Sequence, residues 1–454
     1  MSTVLSRPAL ASAAAPAGAR GFFSPWRYLV DFLSFEGIVV AYLYSNTFQS
    51  ILPKPPIDST VVFFLLSIVV ALVIVLREGV YLPGLLLAVS FVPFLAWFAL
   101  SWTWSPSKIY APKSIMLMST VNLWNLLAAG MIIAHSRARM LRFFKLVTVP
   151  SVIVALIGLY IYFKYGSFKF AGWDWDSEGR VYNEWGRGVA NGAIVILFMC
   201  LRSRFLSLRQ IVLGGLLLLC AGFVFVSSSR SALLVFVVPV VLFLLVHMAP
   251  LGRAGFAISR AQLLLLLLAT AAAVSIALLM AAGTRIDSIG RLLKVFQQAE
   301  NTEIVLGPNR WAYYGAAIRF FLQAPIMGNG IRSFSILFRG YEQEGTHAHN
   351  FVLEILTDTG IVGLVLFGLL LYMALRRVSL RGLRHDPLLL CATMFLVGRV
   401  VAALLGTELN GQYYLFFAIG LMALRPARAE DAAETDEPAA APAAAWPTSS
   451  GGAR

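Results

Sequence analysis

Two histidines stand two residues apart in Thr346-His347-Ala348-His349-Asn350, and Gly360-Ile361-Val362-Gly363 follows after nine further residues. An imidazole exchanges protons near neutral pH, so a neutral His349 can accept the proton of a sugar hydroxyl as a general base. A histidine at the start of an apolar helix can equally make a cap hydrogen bond, and the residues alone weigh the two readings evenly. Two histidines at this spacing can also begin a metal site, but no obvious Cys or Asp partner stands nearby in the sequence. The remaining histidines, His135, His247 and His385, fall at the opposite ends of apolar segments and need no chemical role.

Arginines supply the second signal. Arg187 sits in Gly186-Arg187-Gly188-Val189-Ala190-Asn191-Gly192, Arg230 follows Ser227-Ser228-Ser229, and Arg310 lies in Gly307-Pro308-Asn309-Arg310-Trp311 at an expected helix start. A cation beside the free N–H groups of a helix N-terminus makes an anion site, and the guanidinium fork matches phosphate oxygens. Arg180 and Arg332 belong to the same polar segments. For Arg285, Arg291, Arg319 and Arg339, snorkelling or pairing with Asp287, Glu300, Glu303, Glu342 and Glu344 is sufficient. The phosphate-loop pattern is absent, and the nearest thing to a metal-holding acidic pair is Trp173-Asp174-Trp175-Asp176, read as sugar-contacting or structural. With no metal expected, the arginines must neutralise the phosphates. The pattern points to a lipid diphosphate held near the headgroup level, not to a soluble nucleotide.

The elements that must position these residues are membrane helices. Hydrophobic residues make up 59% of the 454-residue chain and charged residues 13%, with a mean hydropathy of +0.79. Runs of about 20 apolar residues, each sufficient to cross the hydrocarbon as a helix, recur near 28–46, 60–76, 81–101, 113–134, 143–163, 187–201, 210–228, 231–248, 261–282, 351–375, 386–405 and 408–424. Basic connections alternate between them: Arg137, Arg139, Arg142 and Lys145; Arg202, Arg204 and Arg209; Arg253 and Arg260; Arg376, Arg377, Arg381 and Arg384. The positive-inside rule places these in the cytoplasm with both termini. Segments 164–186 and 283–350 and the serine turn then face outward, which makes their arginines anomalous. The formal charge of +14 thus divides between two membrane faces and does not imply nucleic acid. Cys200, Cys220 and Cys391 all lie in apolar runs without metal or disulfide spacing.

The expected organisation is an all-α, polytopic bundle of about twelve transmembrane helices. Residues 1–27 read as a disordered cytoplasmic N-terminus without a secretory signal, and 28–282 as helices one to nine with a short outer loop at 164–186. Residues 283–350 form the large outer loop, 351–424 helices ten to twelve, and 425–454 a disordered acidic Ala/Pro-rich tail. Within the large loop, Trp311 to Leu322 reads as an amphipathic helix with Tyr314, Ile318 and Phe321 on one face. Arg399, near Glu408 at the outer end of the eleventh span, is an in-membrane charge expected to face a cavity and contact substrate.

His349-Asn350, nine residues, Gly360, two residues and Gly363 resemble the signature of the O-antigen ligase and polysaccharide polymerase superfamily of bacterial membrane glycosyltransferases. The Ser-Ser-Ser-Arg-Ser turn at 227–231, the long outer loop and the stretch Gly307 to Gly330, ending Ala324-Pro325-Ile326-Met327-Gly328-Asn329-Gly330, are similar to that family as well. The family's Asn-Pro-Asn-like element is replaced here by Gly188-Val189-Ala190-Asn191-Gly192, leaving Arg180 and Arg187 as rival counterparts of its first loop arginine. Arg187 is favoured for lying nearer the membrane.

The resemblance implies a multi-pass protein of the bacterial inner membrane, working in lipopolysaccharide biosynthesis with its active site on the periplasmic side. It implies transfer of a glycan from undecaprenyl diphosphate to a sugar hydroxyl, without cofactor or metal. His349 would be the base, with Arg310 and Arg187 in the catalytic set. Arg230, Arg180, Asn350, His347, Arg332 and Arg399 would contact substrate. The acceptor would be lipid A–core for a ligase, the favoured reading, or a lipid-linked repeat unit for a polymerase. Membrane lipids complete the expected partners. A transporter without catalysis shares the layout, but most charges here sit at span ends and no internal repeat is evident.

Overall fold

The computed structural model describes residues 30–51, 56–165, 181–203, 207–227, 229–247, 310–406 and 408–425. Every regular element among them is helical. In chain order these are α1 (Phe35–Gln49), α2 (Ser59–Glu78), a broken α3 (Leu82–Trp104), α4 (Tyr110–Ile133), α5 (Arg137–Tyr165), α6 (Val181–Arg202), α7 (Leu208–Val226) and α8 (Arg230–His247). After the undescribed stretch come α9 (Arg310–Gln323), α10 (Ser333–Arg339), α11 (Phe351–Leu375), α12 (Leu380–His385), α13 (Pro387–Leu404) and α14 (Tyr413–Leu421).

Eight segments among the described residues are long and apolar enough to cross a membrane: α2 to α7, α11 and α13. The expected segment near 231–248 is the shorter apolar helix Ser231–Val246, and those near 28–46 and 408–424 contain the shorter α1 and α14. The expected span 261–282 lies outside the described residues, as do both expected tails, residues 166–180 of the first outer loop and 283–309 of the second.

The helix starts are written in the sequence. Ser34, Asp58, Ser207, Asn350 and Asp386 each turn a side-chain oxygen back onto the first free N–H groups of α1, α2, α7, α11 and α13, where the backbone has no acceptor of its own. Two interlocking cores hold the bundle. One stacks Phe91, Phe94, Phe367 and Phe416, with Phe143, Phe395 and Phe417 beside them. The other surrounds α6, the most enclosed span. Helix α2 instead shows Leu65, Val69, Leu72 and Leu76 outward, as a lipid-facing helix does.

The end of the bundle carrying the basic connections is tied by ion pairs. Arg137 makes a fork to both oxygens of Asp386 at 2.7 Å. Arg142 reaches Glu36 at 3.1 Å and Asp31 at 3.2 Å, and Arg139 also meets Glu36. Two of the charges that fell within expected spans, Asp31 and Glu36, are thus neutralised at a span end.

Helix α9 forms where it was expected, but it packs through a different face. Tyr313, Ala316, Ala317 and Phe320 turn inward against Phe334, Phe338, Ala348 and Leu353. Ile318 is exposed, in line with Trp311 and Leu322. Ala316 and Ala317 let the helix lie close to α11, so the two small residues outweigh the bulkier apolar ones in choosing the face. Of the glutamates expected to pair with loop arginines, Glu342 accepts the backbone N–H groups of Lys108, Ile109 and Tyr110, and Glu344 pairs with Lys113 at 2.6 Å. Both tie the second loop to the α3–α4 connection.

Candidate functional site

The histidines lie at the end of the bundle opposite the basic connections, between α10 and α11. Their rings are 4.1 Å apart, centroid to centroid. His347 is buried; Nε2 lies 3.2 Å from the Gly406 carbonyl, and Nδ1 3.0 Å from the Gly345 carbonyl and 3.6 Å from Glu408 Oε1. All three neighbours are acceptors, which suits a doubly protonated ring. Burial pulls its pKa down, but Glu408, Glu354 and the Gly406 carbonyl outweigh burial and raise it above the usual histidine value.

His349 has the opposite surroundings. It is half-buried, its backbone sits in the left-handed region at φ 56, and its ring meets Tyr313 edge-on at 5.1 Å. Burial first, then the positive His347 and Arg310, push its pKa down to about 4. At neutral pH it is an unprotonated imidazole beside His347 and Arg310. The cap hydrogen bonds that a histidine might have made belong to Asn350, whose Oδ1 accepts from Val352 N at 3.0 Å and Leu353 N at 3.1 Å.

Arg332 and two further acidic residues brace the histidines. Arg332 also has a left-handed backbone (φ 64), and its guanidinium pairs with Glu408 at 2.7 Å. Its N–H donates to Asp358 Oδ2 at 2.9 Å, while Ser333 Oγ donates to the other oxygen of Asp358 at 3.2 Å. Glu354 accepts from Leu409 N at 3.0 Å. The Glu408 carboxylate, between Arg332 and His347, has its pKa pulled down to about 2: burial opposes ionisation, and these two cations overcome it.

The two glycine motifs meet each other. Gly360 interrupts α11 at φ 66, and Gly328 lies against it at φ 73. A side chain on Gly360 would strike the Ile326 carbonyl, and one on Gly328 would stand 2.5 Å from the Asp358 carbonyl carbon. In that gap Asn329 N and Gly330 N donate to the Thr357 and Asp358 carbonyls, and Ile361 N donates to Pro325 O, at 2.8 to 2.9 Å. The kink thereby exposes helix backbone that the loop satisfies, and it fixes the loop leading to Arg332.

Arg187 approaches from α6. Its Nε donates to Ser231 Oγ at 3.1 Å, and its guanidinium lies so close to Gly406 that a methyl there would be 2.5 Å from Nη2. Ser231 is held by Ser229 at 3.1 Å, and Ser229 donates to Asn183 at 2.6 Å. The serine turn therefore positions Arg187. Arg230 opens α8 beside it, and Arg180 lies outside the described residues. Arg310, exposed at the start of α9, is an electrostatic neighbour of both Arg187 and His349. Arg399 is buried in α13, and its Nη2 donates to the Arg187 carbonyl at 3.3 Å. Of the expected set, the structure thus brings His347, His349, Arg310, Arg187, Arg332 and Arg399 around one end of the bundle. Among the described residues, no three His, Cys, Asp or Glu side chains converge as a metal-ligand set.

Residues 215–368 match the family model described as O-antigen ligase. Over this stretch the chain is similar to the O-antigen ligase family. No curated protein matches the chain. The matched stretch contains the serine turn, Arg310, Arg332, both histidines and both glycine motifs; Arg187, Arg399 and Glu408 complete the cluster from outside it. Together with the apolar spans, it supports an integral membrane glycosyltransferase of the O-antigen ligase or polymerase type.

Sequence reasoning named Glu408 only as a neighbour of Arg399 and gave Tyr313, Glu354 and Asp358 no role. Asp358 and Glu354 carried one available signal, two carboxylates inside an otherwise apolar span.

Proposed function

We propose that the protein transfers a glycan from undecaprenyl diphosphate to a sugar hydroxyl at the periplasmic face, with inversion at the anomeric carbon and lipid A–core as acceptor. The observation that carries this is the placement of the half-buried His349 ring, 4.1 Å from His347, in one cluster with Arg310 and Arg187. A base and an anion site side by side are what the reaction requires. The hydroxyl oxygen bonds to the anomeric carbon while its proton passes to a ring nitrogen of His349. The bond from that carbon to the diphosphate breaks, and undecaprenyl diphosphate leaves with the electron pair. Arg187 and Arg310 stabilise the charge that develops on it.

An imidazole titrating near 4 is a weak base in the empty site. The donor changes this. Its diphosphate offsets the charge of Arg310, which removes one of the causes of the depression and moves His349 toward the range where a base is effective. Base strength thus rises only when donor is present, which disfavours idle proton exchange.

The test is transfer in detergent from an undecaprenyl-diphosphate-linked glycan to lipid A–core in the presence of EDTA. Glycosylated lipid A–core from the native protein, absent with His349→Ala, supports the proposal. Elongated lipid-linked chains instead assign a polymerase. Full transfer by Arg310→Ala or His349→Ala removes the mechanism.

A further inference from the structure

The seam between α6 and α13 contains two buried polar side chains, one with part and one with all of its hydrogen-bonding capacity unused. Arg399 is 5% exposed within an apolar span and has no carboxylate partner among the described residues. Its Nε has no hydrogen-bond partner, and its guanidinium lies over the Tyr414 ring at 5.0 Å. Asn191 is 0% exposed, and neither Oδ1 nor Nδ2 has a partner. Buried polar groups are nearly always satisfied, so two such groups in one seam call for an explanation.

They face the same place. Arg399 bonds the carbonyl of Arg187, and a Cβ on the adjacent Gly398 would stand 3.2 Å from Ile194 Cδ1. These contacts fix the side of α6 that meets α13. Arg187, Asn191 and Ile194 follow one another on that side at helical spacing, so Asn191 lies between the two contact points. The neighbouring hydroxyls do not serve the pair: Tyr44 and Ser151 bond each other and the Gly188 carbonyl. Depth matters as well. The Arg187 side chain extends to Ser231 and Gly406 at the outer end, whereas Arg399 sits at the level of the Arg187 backbone.

We propose that Arg399 and Asn191 bind the lipid-side phosphate of the donor, one layer deeper than the phosphate held by Arg187 and Arg310. This rests on the diphosphate reading above. A guanidinium without a carboxylate calls for an anion, and the amide adds a donor beside it. In a diphosphate-linked lipid the phosphate next to the polyprenyl chain is the one nearer the hydrocarbon. A diphosphate lipid therefore spans both layers, whereas the single phosphate of a monophosphate lipid, also next to the chain, reaches only this deeper one.

The experiment uses the purified full chain in detergent, with undecaprenyl diphosphate and undecaprenyl monophosphate as probes. The native protein is expected to bind the diphosphate more tightly; Arg399→Gln and Asn191→Leu should each weaken binding of both lipids by about tenfold, whereas Arg310→Ala should weaken the diphosphate alone. Without lipid, Asn191→Leu should melt no lower than the native protein, because its side chain has no hydrogen-bond partner to lose; a brace would show the reverse. If Arg399→Gln does not fold, Asn191→Leu and Arg399→Lys carry the test through ³¹P NMR of the bound lipid, where the lipid-side resonance alone should shift. Unchanged affinity for both lipids, a loss confined to the diphosphate, or an unshifted lipid-side resonance overturns the subsite. If Arg310→Ala still loses affinity in that case, the diphosphate reading stands without it. Failure of the native protein to bind either lipid overturns both.

Discussion

The rings of His347 and His349 lie 4.1 Å apart, and their surroundings drive their proton affinities in opposite directions. His347 is raised by the carboxylates behind it; His349 is lowered by burial and by the cations beside it. When environment separates two adjacent titratable groups in this way, their roles separate too. His347 is held toward its protonated form, and His349 toward its neutral one.

Replacing His349 by alanine is expected to lower the transfer rate by about 10²- to 10⁴-fold, the usual contribution of a general base. Glycan transferred per minute under saturating donor measures this, and a rate within threefold of native would exclude the role.

The pH profile should carry a distinctive signature. Because His349 is lowered to about 4 in the empty site, kcat/KM should hold its value as pH falls through the ordinary histidine range and decline only toward 4. The acid limb of kcat, which reports the loaded enzyme, should lie higher, since bound diphosphate relieves the depression. His347→Gln removes the second cause and should raise the kcat/KM limb part of the way. Coincident limbs near 6.5 in the native protein would contradict this assignment.

Glu408→Gln should cost about 3 kcal/mol, because it leaves the guanidinium of Arg332 and the His347 ring buried without their counter-ion. The pH dependence has two signs. Glu408 is depressed, so its contribution is full above its ordinary value of 4.5 and is lost as pH falls toward 2. His347 is raised, so its contribution is full below its ordinary value of 6.5 and is lost as pH rises through its higher folded value. Thermal unfolding in detergent should therefore show a plateau between about 4.5 and 6.5 that the variant lacks.

Gly360→Ala should destabilise by about 2–4 kcal/mol, since alanine is disfavoured at positive φ and its methyl would strike the Ile326 carbonyl. Activity should fall as well, through displacement of the loop that carries Arg332. A melting temperature equal to native would show that the kink tolerates a side chain.

Much of this site was legible in the chain. Apolar runs gave most of the helices, and the His349–Gly360–Gly363 spacing marked the end of the bundle where the histidines and Arg187 gather. Cap residues such as Ser207 and Asp386 announce helix starts locally. What was not legible depends on contacts between distant segments. Glu408 is far along the chain from both Arg332 and His347, and nothing in the spacing announces that they meet. In the sequence the serines of the 227–231 turn stand beside Arg230, whereas in the fold Ser229 and Ser231 hold Arg187. The face of α9 was misjudged because bulk suggests the core, whereas close approach to α11 selected Ala316 and Ala317.

The left-handed backbone at His349 has a further consequence. That conformation costs a histidine about 1 kcal/mol that a glycine would not incur, so His349→Gly should relax the chain where it joins α11. The most stable occupant of this position is thus one without a titratable ring. Under the proposed mechanism, selecting variants for heat resistance alone would drift toward losing the base.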